Sequence, residues 1–184
     1  MAKHPETNAV RIQTDKTEQK EHSTPLFLTS SFTYESAEDM AAAFTDDTSG
    51  VNIYSRFSNP TVDEFIEKIA SLEGAEDGVA TGTGMAAVFA TFMTFLSKGD
   101  HIISASAVFG STHTILTKYL PKWGIDFSYF DMDKPESVEG LFRPETRMLY
   151  VETPSNPGLS IIDLEFLSAL CRKRGVLLVV DNCF

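Results

Sequence analysis

From about residue 78 to residue 181, short apolar segments alternate with helix-length segments, and no other property of this chain narrows its fold as much. Candidate strands at 78–81, 101–105, 125–130, 147–152 and 176–181 are separated by candidate helices at 84–96, 111–123, 136–142 and 163–174, the last stopped by Gly175. Parallel strands need long crossovers, usually helical, and strands buried on both faces read as continuous apolar runs. Val176-Leu177-Leu178-Val179-Val180 is such a run. The order predicts an α/β fold, a mainly parallel sheet with helices on both faces. Ligands of such sheets bind at the carboxyl ends of the strands.

Before the alternation begins, residues 1 to about 35 carry no sustained helical period, and Thr24-Pro25-Leu26-Phe27-Leu28 reads as an extended arm of the kind that reaches a partner subunit. A short helix is expected at 36–44, opened by Ser36 and Asp39, with a mobile loop at 46–50 after it. The strongest helix signal starts at Pro60 or Thr61 and runs to Glu73. Thr61 and Glu64 form a capping-box pair, Val62, Phe65, Ile66, Ile69 and Leu72 share a face, and Gly74 can stop it. Residues 1–60 are therefore read as an amino-terminal arm and intersubunit segment, and 61–184 as the sheet-bearing domain. The chain stops at Phe184, directly after its most apolar strand, which reads as a domain incomplete at its carboxyl end.

A formal charge of −11 disfavours nucleic acid and anionic membranes as partners. Nothing approaches the ~18 uninterrupted apolar residues of a membrane span, and the polar start, Met1 to Lys20, has no signal-peptide core. Cys171 and Cys183 lie apart, as free thiols in a reducing compartment do, so a cytoplasmic location is expected. His4, His22, His101 and His113 show no ligand spacing, and no metal site is assigned. Phe89, Phe92, Met93 and Phe95 are expected in the core.

Three constellations carry chemistry. Thr81-Gly82-Thr83-Gly84-Met85-Ala86-Ala87 lies between a strand and a helix, where glycines admit a ligand to the backbone and the helix start favours an anion. It satisfies a loose dinucleotide fingerprint, but a nicotinamide or flavin site needs an acid about 20 residues on. The next strand runs instead into Ser104-Ala105-Ser106, with Asp100 at its wrong end. A glycine turn without a ligand is the plain alternative. Asp181 ends an apolar strand, where a carboxylate is costly without a donor or cation to meet it; a helix cap or structural hydrogen bond would serve as well as a ligand. With an anion seat on the same sheet edge, it suits a ligand with an anion at one end and a protonated ring nitrogen at the other, and pyridoxal phosphate fits that description. Finally, Arg56 in Tyr54-Ser55-Arg56-Phe57-Ser58-Asn59-Pro60-Thr61 offers a planar fork suited to phosphate, with the Tyr54 hydroxyl beside it; taken alone it reads as a surface arginine.

Together with Val108-Phe109-Gly110-Ser111-Thr112 and Glu152-Thr153-Pro154-Ser155-Asn156-Pro157, these segments resemble, in order and spacing, the cysteine and methionine metabolism family of pyridoxal-phosphate enzymes. The family includes cystathionine gamma-synthase, methionine gamma-lyase and the homoserine-ester sulfhydrylases. The resemblance implies an aspartate-aminotransferase-like (fold type I) large domain in homotetramers, dimers of dimers with active sites between paired subunits, acting on amino-acid substrates. It implies that Gly84 and Met85 present N–H groups to the cofactor phosphate near the Thr83 hydroxyl, and that Tyr54 and Arg56 reach the phosphate of a neighbouring subunit, Tyr54 being the candidate catalytic residue. Asp181 would keep the pyridine nitrogen protonated, and Asn156 would meet the ring hydroxyl. Phe109 stands where the family commonly has a ring-stacking tyrosine; it can stack but cannot transfer a proton. The Schiff-base lysine of the resemblance falls in a Ser-x-Thr-Lys motif beyond residue 184, so this chain alone is expected to be inactive, and Lys118 reads as a surface residue. Within the family, segments 108–112 and 181–184 look most like the sulfhydrylases that use O-succinylhomoserine. The alternatives are a gamma-lyase, cystathionine gamma-synthase or O-acetylhomoserine sulfhydrylase reaction, or a non-catalytic chain that binds a full-length homologue.

Overall fold

The computed structural model describes residues 4–13, 15–45 and 51–184; the loop expected at 46–50 lies outside them. The chain divides into two compact units, Met1–Ala80 and Thr81–Phe184.

The first unit holds helices α1 (Pro5–Arg11), α2 (Ala37–Thr45) and α3 (Pro60–Glu73). The reading of residues 1–35 as lacking a helix is corrected by α1. Seven residues are too few to register a helical period, and this helix is held by packing on α3, where Asn8 Nδ2 donates to Ser71 Oγ at 3.1 Å. At the start of α2, Ser36 Oγ accepts from the Asp39 N–H at 3.0 Å, as the cap pattern requires. The cap of α3 differs from the expected Thr61–Glu64 box. Asn59 is the N-cap, and its side-chain oxygen accepts from the Thr61 N–H at 3.0 Å. Thr61 Oγ1 is engaged by the arm, accepting from the Phe27 N–H at 3.0 Å, while Glu64 accepts from Lys68 at 2.6 Å and from the Thr24 hydroxyl. Residues 24–28 form neither helix nor strand, and Thr24 and Phe27 tie them to the first turn of α3. Gly74, at φ +65°, ends the helix in the left-handed region that glycine enters without strain.

The second unit holds α4 (Gly84–Phe95), β1 (His101–Ala105), α5 (Gly110–Thr114), β2 (Asp126–Phe130), β3 (Thr146–Glu152), α6 (Leu164–Arg174) and β4 (Leu177–Asp181). The strands form one sheet in the order β2-β1-β3-β4, every pairing parallel. Successive strand side chains point to opposite faces, so the burial of all five residues of β1, and of Met148 through Glu152 in β3, means that both faces are covered. In-register pairing sets Ser104, Tyr150 and Val179 on one face, with Glu152 and Asp181 two residues further along it. Phe92 of α4 lies over that face, its ring edge-on to Tyr150 at 5.1 Å between centroids. A peptide hydrogen bond from Thr153 to Asp181 O, 3.0 Å, continues the β3–β4 pairing past Glu152.

Three expectations are corrected here. Residues 78–81 form no strand; a strand exists only where a neighbouring edge pairs with it, and Val79 is instead 88% exposed. The helix expected at 111–123 is broken into α5, a π-helical stretch Ile115–Tyr119 and a 3₁₀ turn Leu120–Trp123. Thr114 and Thr117 hydroxyls donate to the carbonyls of Gly110 and His113, competing with the main chain, and Pro121 has no N–H to offer. Of the four α4 residues assigned to the core only Phe92 is buried; α4 is apolar all round, and Phe89, Met93 and Phe95 fall outside the stripe that faces the sheet. Segment 136–142 is a 3₁₀ helix over Pro135–Leu141, and α6 is capped by Asp163, which accepts from the Phe166 N–H at 2.9 Å, and closed by Gly175.

Candidate active site

At the carboxyl ends of β3 and β4 lies a cleft of about 510 Å³, walled by Thr83, Gly84 and Met85 at the start of α4, Phe109 ahead of α5, Asn156 beyond β3, and Asp181 at the tip of β4. Six sequence-derived site residues are therefore brought together. Tyr54 and Arg56 belong to the first unit, where the Arg56 guanidinium lies 4.8 Å from the Tyr54 ring centroid and both residues are exposed.

One end of the cleft is built for an anion. Thr83 is the N-cap of α4 and accepts from the Ala86 N–H at 3.1 Å, leaving its own hydroxyl hydrogen to donate. The first-turn N–H groups of Gly84 and Met85 have no intrahelical partner. A Cβ built on Gly82 or Gly84 would meet nothing within 4 Å, so the space above the helix start is open.

The other end is acidic and held from behind. Asp181 Oδ2 accepts from the Tyr150 hydroxyl at 2.9 Å, and Oδ1 from the Cys183 N–H at 3.3 Å. Burial, reinforced by the Asp181 charge, raises the Tyr150 phenol well above the ordinary tyrosine range, so it donates and stays protonated. The Cys183 thiol is pushed up chiefly by its hydrogen bond to Asp181. Glu152 is in register with Asp181, two carboxylates side by side on one face. Sequence reading did not assign Tyr150 or Glu152 to the site, although a carboxylate ending a buried strand was as strong a signal at 152 as at 181. Glu152 Oε2 accepts from the Phe109 N–H at 2.7 Å and Oε1 from the Asn156 N–H at 2.9 Å.

Outside the cleft, His113 is exposed with Nδ1 2.8 Å from the Tyr129 hydroxyl, and Lys118 is exposed. Cys171 is a buried free thiol pushed up to about 11 by desolvation. Among the described residues no group of three or more His, Cys, Asp or Glu could hold a metal ion, and no helix is long and apolar enough to cross a membrane.

Donors for an anion at one end and a carboxylate at the other, in a cleft of ligand size, fit a phosphorylated pyridine whose ring nitrogen carries a proton. That combination marks a pyridoxal-phosphate enzyme. The chain belongs to the Cys/Met metabolism PLP-dependent enzyme family, which matches residues 6–184. It is 42% identical to the O-succinylhomoserine sulfhydrylase of Pseudomonas aeruginosa over 97% of this chain and 44% of that protein. It is 38% identical to an L-methionine gamma-lyase of Fusobacterium nucleatum over 87% of this chain and 40% of that protein. A crystal structure assigned as an O-acetylhomoserine (thiol)-lyase from Campylobacter jejuni, which carries a pyridoxyl-lysine phosphate, superposes with a TM-score of 0.91 at 30% identity, covering 98% of this chain and 44% of that one. The chain thus spans less than half the length of these relatives, and its sheet and helices are part of the fold type I large domain.

Proposed function

We propose that this chain supplies the cofactor-binding half of an enzyme that replaces the succinyloxy group on the gamma carbon of O-succinylhomoserine with sulfide, releasing succinate and giving homocysteine. The observation that carries the reading is the 42% identity to an O-succinylhomoserine sulfhydrylase over nearly the whole chain, on top of the two-ended cleft. Bound pyridoxal phosphate supplies an electron sink for carbanionic character on the amino acid. In this reading Thr83, Gly84 and Met85 seat the phosphate, Asp181 holds the ring nitrogen protonated, Phe109 covers a ring face and Asn156 meets the ring hydroxyl. Because Phe109 has no hydroxyl, proton transfers fall to groups other than the residue over the ring. The Schiff-base lysine comes from sequence beyond Phe184, and residues 1–60 serve as an intersubunit arm that carries Tyr54 and Arg56 to a neighbouring subunit's cofactor in a cytoplasmic homotetramer.

The test is product analysis of the intact enzyme given O-succinylhomoserine and sulfide, with methionine offered separately. Homocysteine from the first and no 2-oxo acid from the second is the expected result. Release of a 2-oxo acid and ammonia from methionine would favour the gamma-lyase reading, which rests on the 38% identity to a methionine gamma-lyase.

A further inference from the structure

We infer that Glu152 is a positioning residue, which fixes the two groups flanking the cofactor ring by holding both of their main-chain N–H groups with one carboxylate. The inference rests on the pyridoxal-phosphate reading of the cleft. Phe109 and Asn156 approach from different elements, the turn before α5 and the loop after β3, 47 residues apart in sequence. Neither is rigid by itself: Phe109 is the N-cap of a five-residue helix and has no side-chain cap bond, and Asn156 lies in a loop. Glu152 sits between them, 5% exposed, with Oε2 on the Phe109 N–H at 2.7 Å and Oε1 on the Asn156 N–H at 2.9 Å.

The chemistry of the side chain matters as well as its place. An ionised carboxylate is acceptor-only, so its two oxygens can take one N–H each, and hydrogen bonds to a charged acceptor are the strong kind. Both carboxylates line the cleft, but Glu152 is buried with one main-chain N–H on each oxygen, whereas its in-register neighbour Asp181 is only half-buried and is the carboxylate more open to a ligand. Two like charges on adjacent strands repel, and the arrangement is tolerable because each has its own donors, the main chain for Glu152 and Tyr150 with Cys183 for Asp181.

Glu152→Gln separates this role from simple packing. It preserves shape and one acceptor, but its amide NH₂ must face whichever backbone N–H the lost oxygen served, donor against donor. Three readouts are taken on the intact apoenzyme and on its E152Q variant: amide hydrogen exchange at Phe109 and Asn156, affinity for pyridoxal phosphate by fluorescence titration, and affinity for inorganic phosphate. Expected are faster exchange at one or both amides while the Ser106 amide, bonded to Phe130 O, stays protected, pyridoxal phosphate affinity lowered about tenfold, equivalent to about 1.4 kcal/mol, and phosphate affinity within about twofold of wild type, since the anion seat on α4 does not touch Glu152. Should E152Q lose protection throughout, Glu152→Asp, which keeps both acceptors, is expected to restore Ser106 protection and to recover part of the ring affinity. Unchanged exchange, pyridoxal phosphate affinity unchanged despite altered exchange, an equal loss for phosphate, or failure of E152D to recover any ring affinity would each overturn the inference. An intact wild-type enzyme with no pyridoxal phosphate affinity would overturn the functional reading itself, and the flat wild-type titration tells that failure apart.

Discussion

Tyr150→Phe removes a single oxygen from behind the acidic end of the cleft. The ring stays where it is, because its edge-on contact with Phe92 at 5.1 Å does not involve the hydroxyl. What is lost is the 2.9 Å hydrogen bond to Asp181 Oδ2. Hydrogen bonds to charged groups contribute about 1.5–3 kcal/mol. Asp181 is only half-buried and water can replace the missing donor in part, so a net cost of about 1–2 kcal/mol is expected. At about 2–4 °C per kcal/mol for a chain of this size, the melting temperature should fall by about 2–8 °C. A second signature is pH-dependent. The Tyr150 phenol is raised in the folded state, so above pH 10 the unfolded chain gives up a proton that the folded chain keeps, and stability falls as pH rises. Y150F should lose less stability over that alkaline range than the wild type. Thermal melts by circular dichroism between pH 7 and about 11 carry both signatures. A variant melting within about 1 °C of wild type at pH 7, or with an identical alkaline slope, would refute the assignment of Tyr150 as the support of Asp181.

Other expectations are independent of that pair. His101 is buried, with Nδ1 2.8 Å from Thr146 Oγ1 and Nε2 3.0 Å from Ser128 Oγ, and desolvation followed by the Arg143 charge lowers its pKa below 6.5. The unfolded chain therefore binds a proton that the folded one refuses; this contribution to stability is complete above pH 6.5 and erodes below it, and His101→Gln should flatten that acid slope in urea melts. Phe92→Ala empties a fully buried site and should cost about 3–5 kcal/mol, read as a lower denaturation midpoint. Asn59→Ala removes the α3 cap and a bond to Phe27 O, and should cost about 1–2 kcal/mol with faster exchange of the Thr61 amide.

The parallel sheet was legible because strands buried on both faces and their helical crossovers leave periods of different length in the sequence, and Gly175 marked its helix end in both readings. Thr83, Gly84, Met85 and Asp181 were legible from position, because they open a helix or end a strand where a polar group or an open backbone needs a reason, whereas Phe109 and Asn156 were reached only through the family resemblance. The failures share a cause in contacts that the local pattern does not contain. The Phe109–Glu152 and Tyr150–Asp181 hydrogen bonds span 43 and 31 residues, so Tyr150 looked like an ordinary strand residue and Glu152, though a carboxylate at a strand tip, had no partner in its local sequence to give it a role. α1 exists through α3, and residues 78–81 lack an edge to pair with. The threonine hydroxyls that break the helix after Gly110 act locally, but their competition for carbonyls was outweighed by an apolar period that continued through them.

The most direct measurement is a pyridoxal phosphate titration of the intact apoenzyme and of its Thr83→Ala and Asp181→Ala variants, followed by cofactor fluorescence with inorganic phosphate as competitor. Saturable binding that phosphate displaces, weakened about tenfold or more by either substitution, is expected if the cleft holds the phosphate on α4 and the ring nitrogen on Asp181. Binding that neither substitution weakens, or no saturable binding at all, would contradict it.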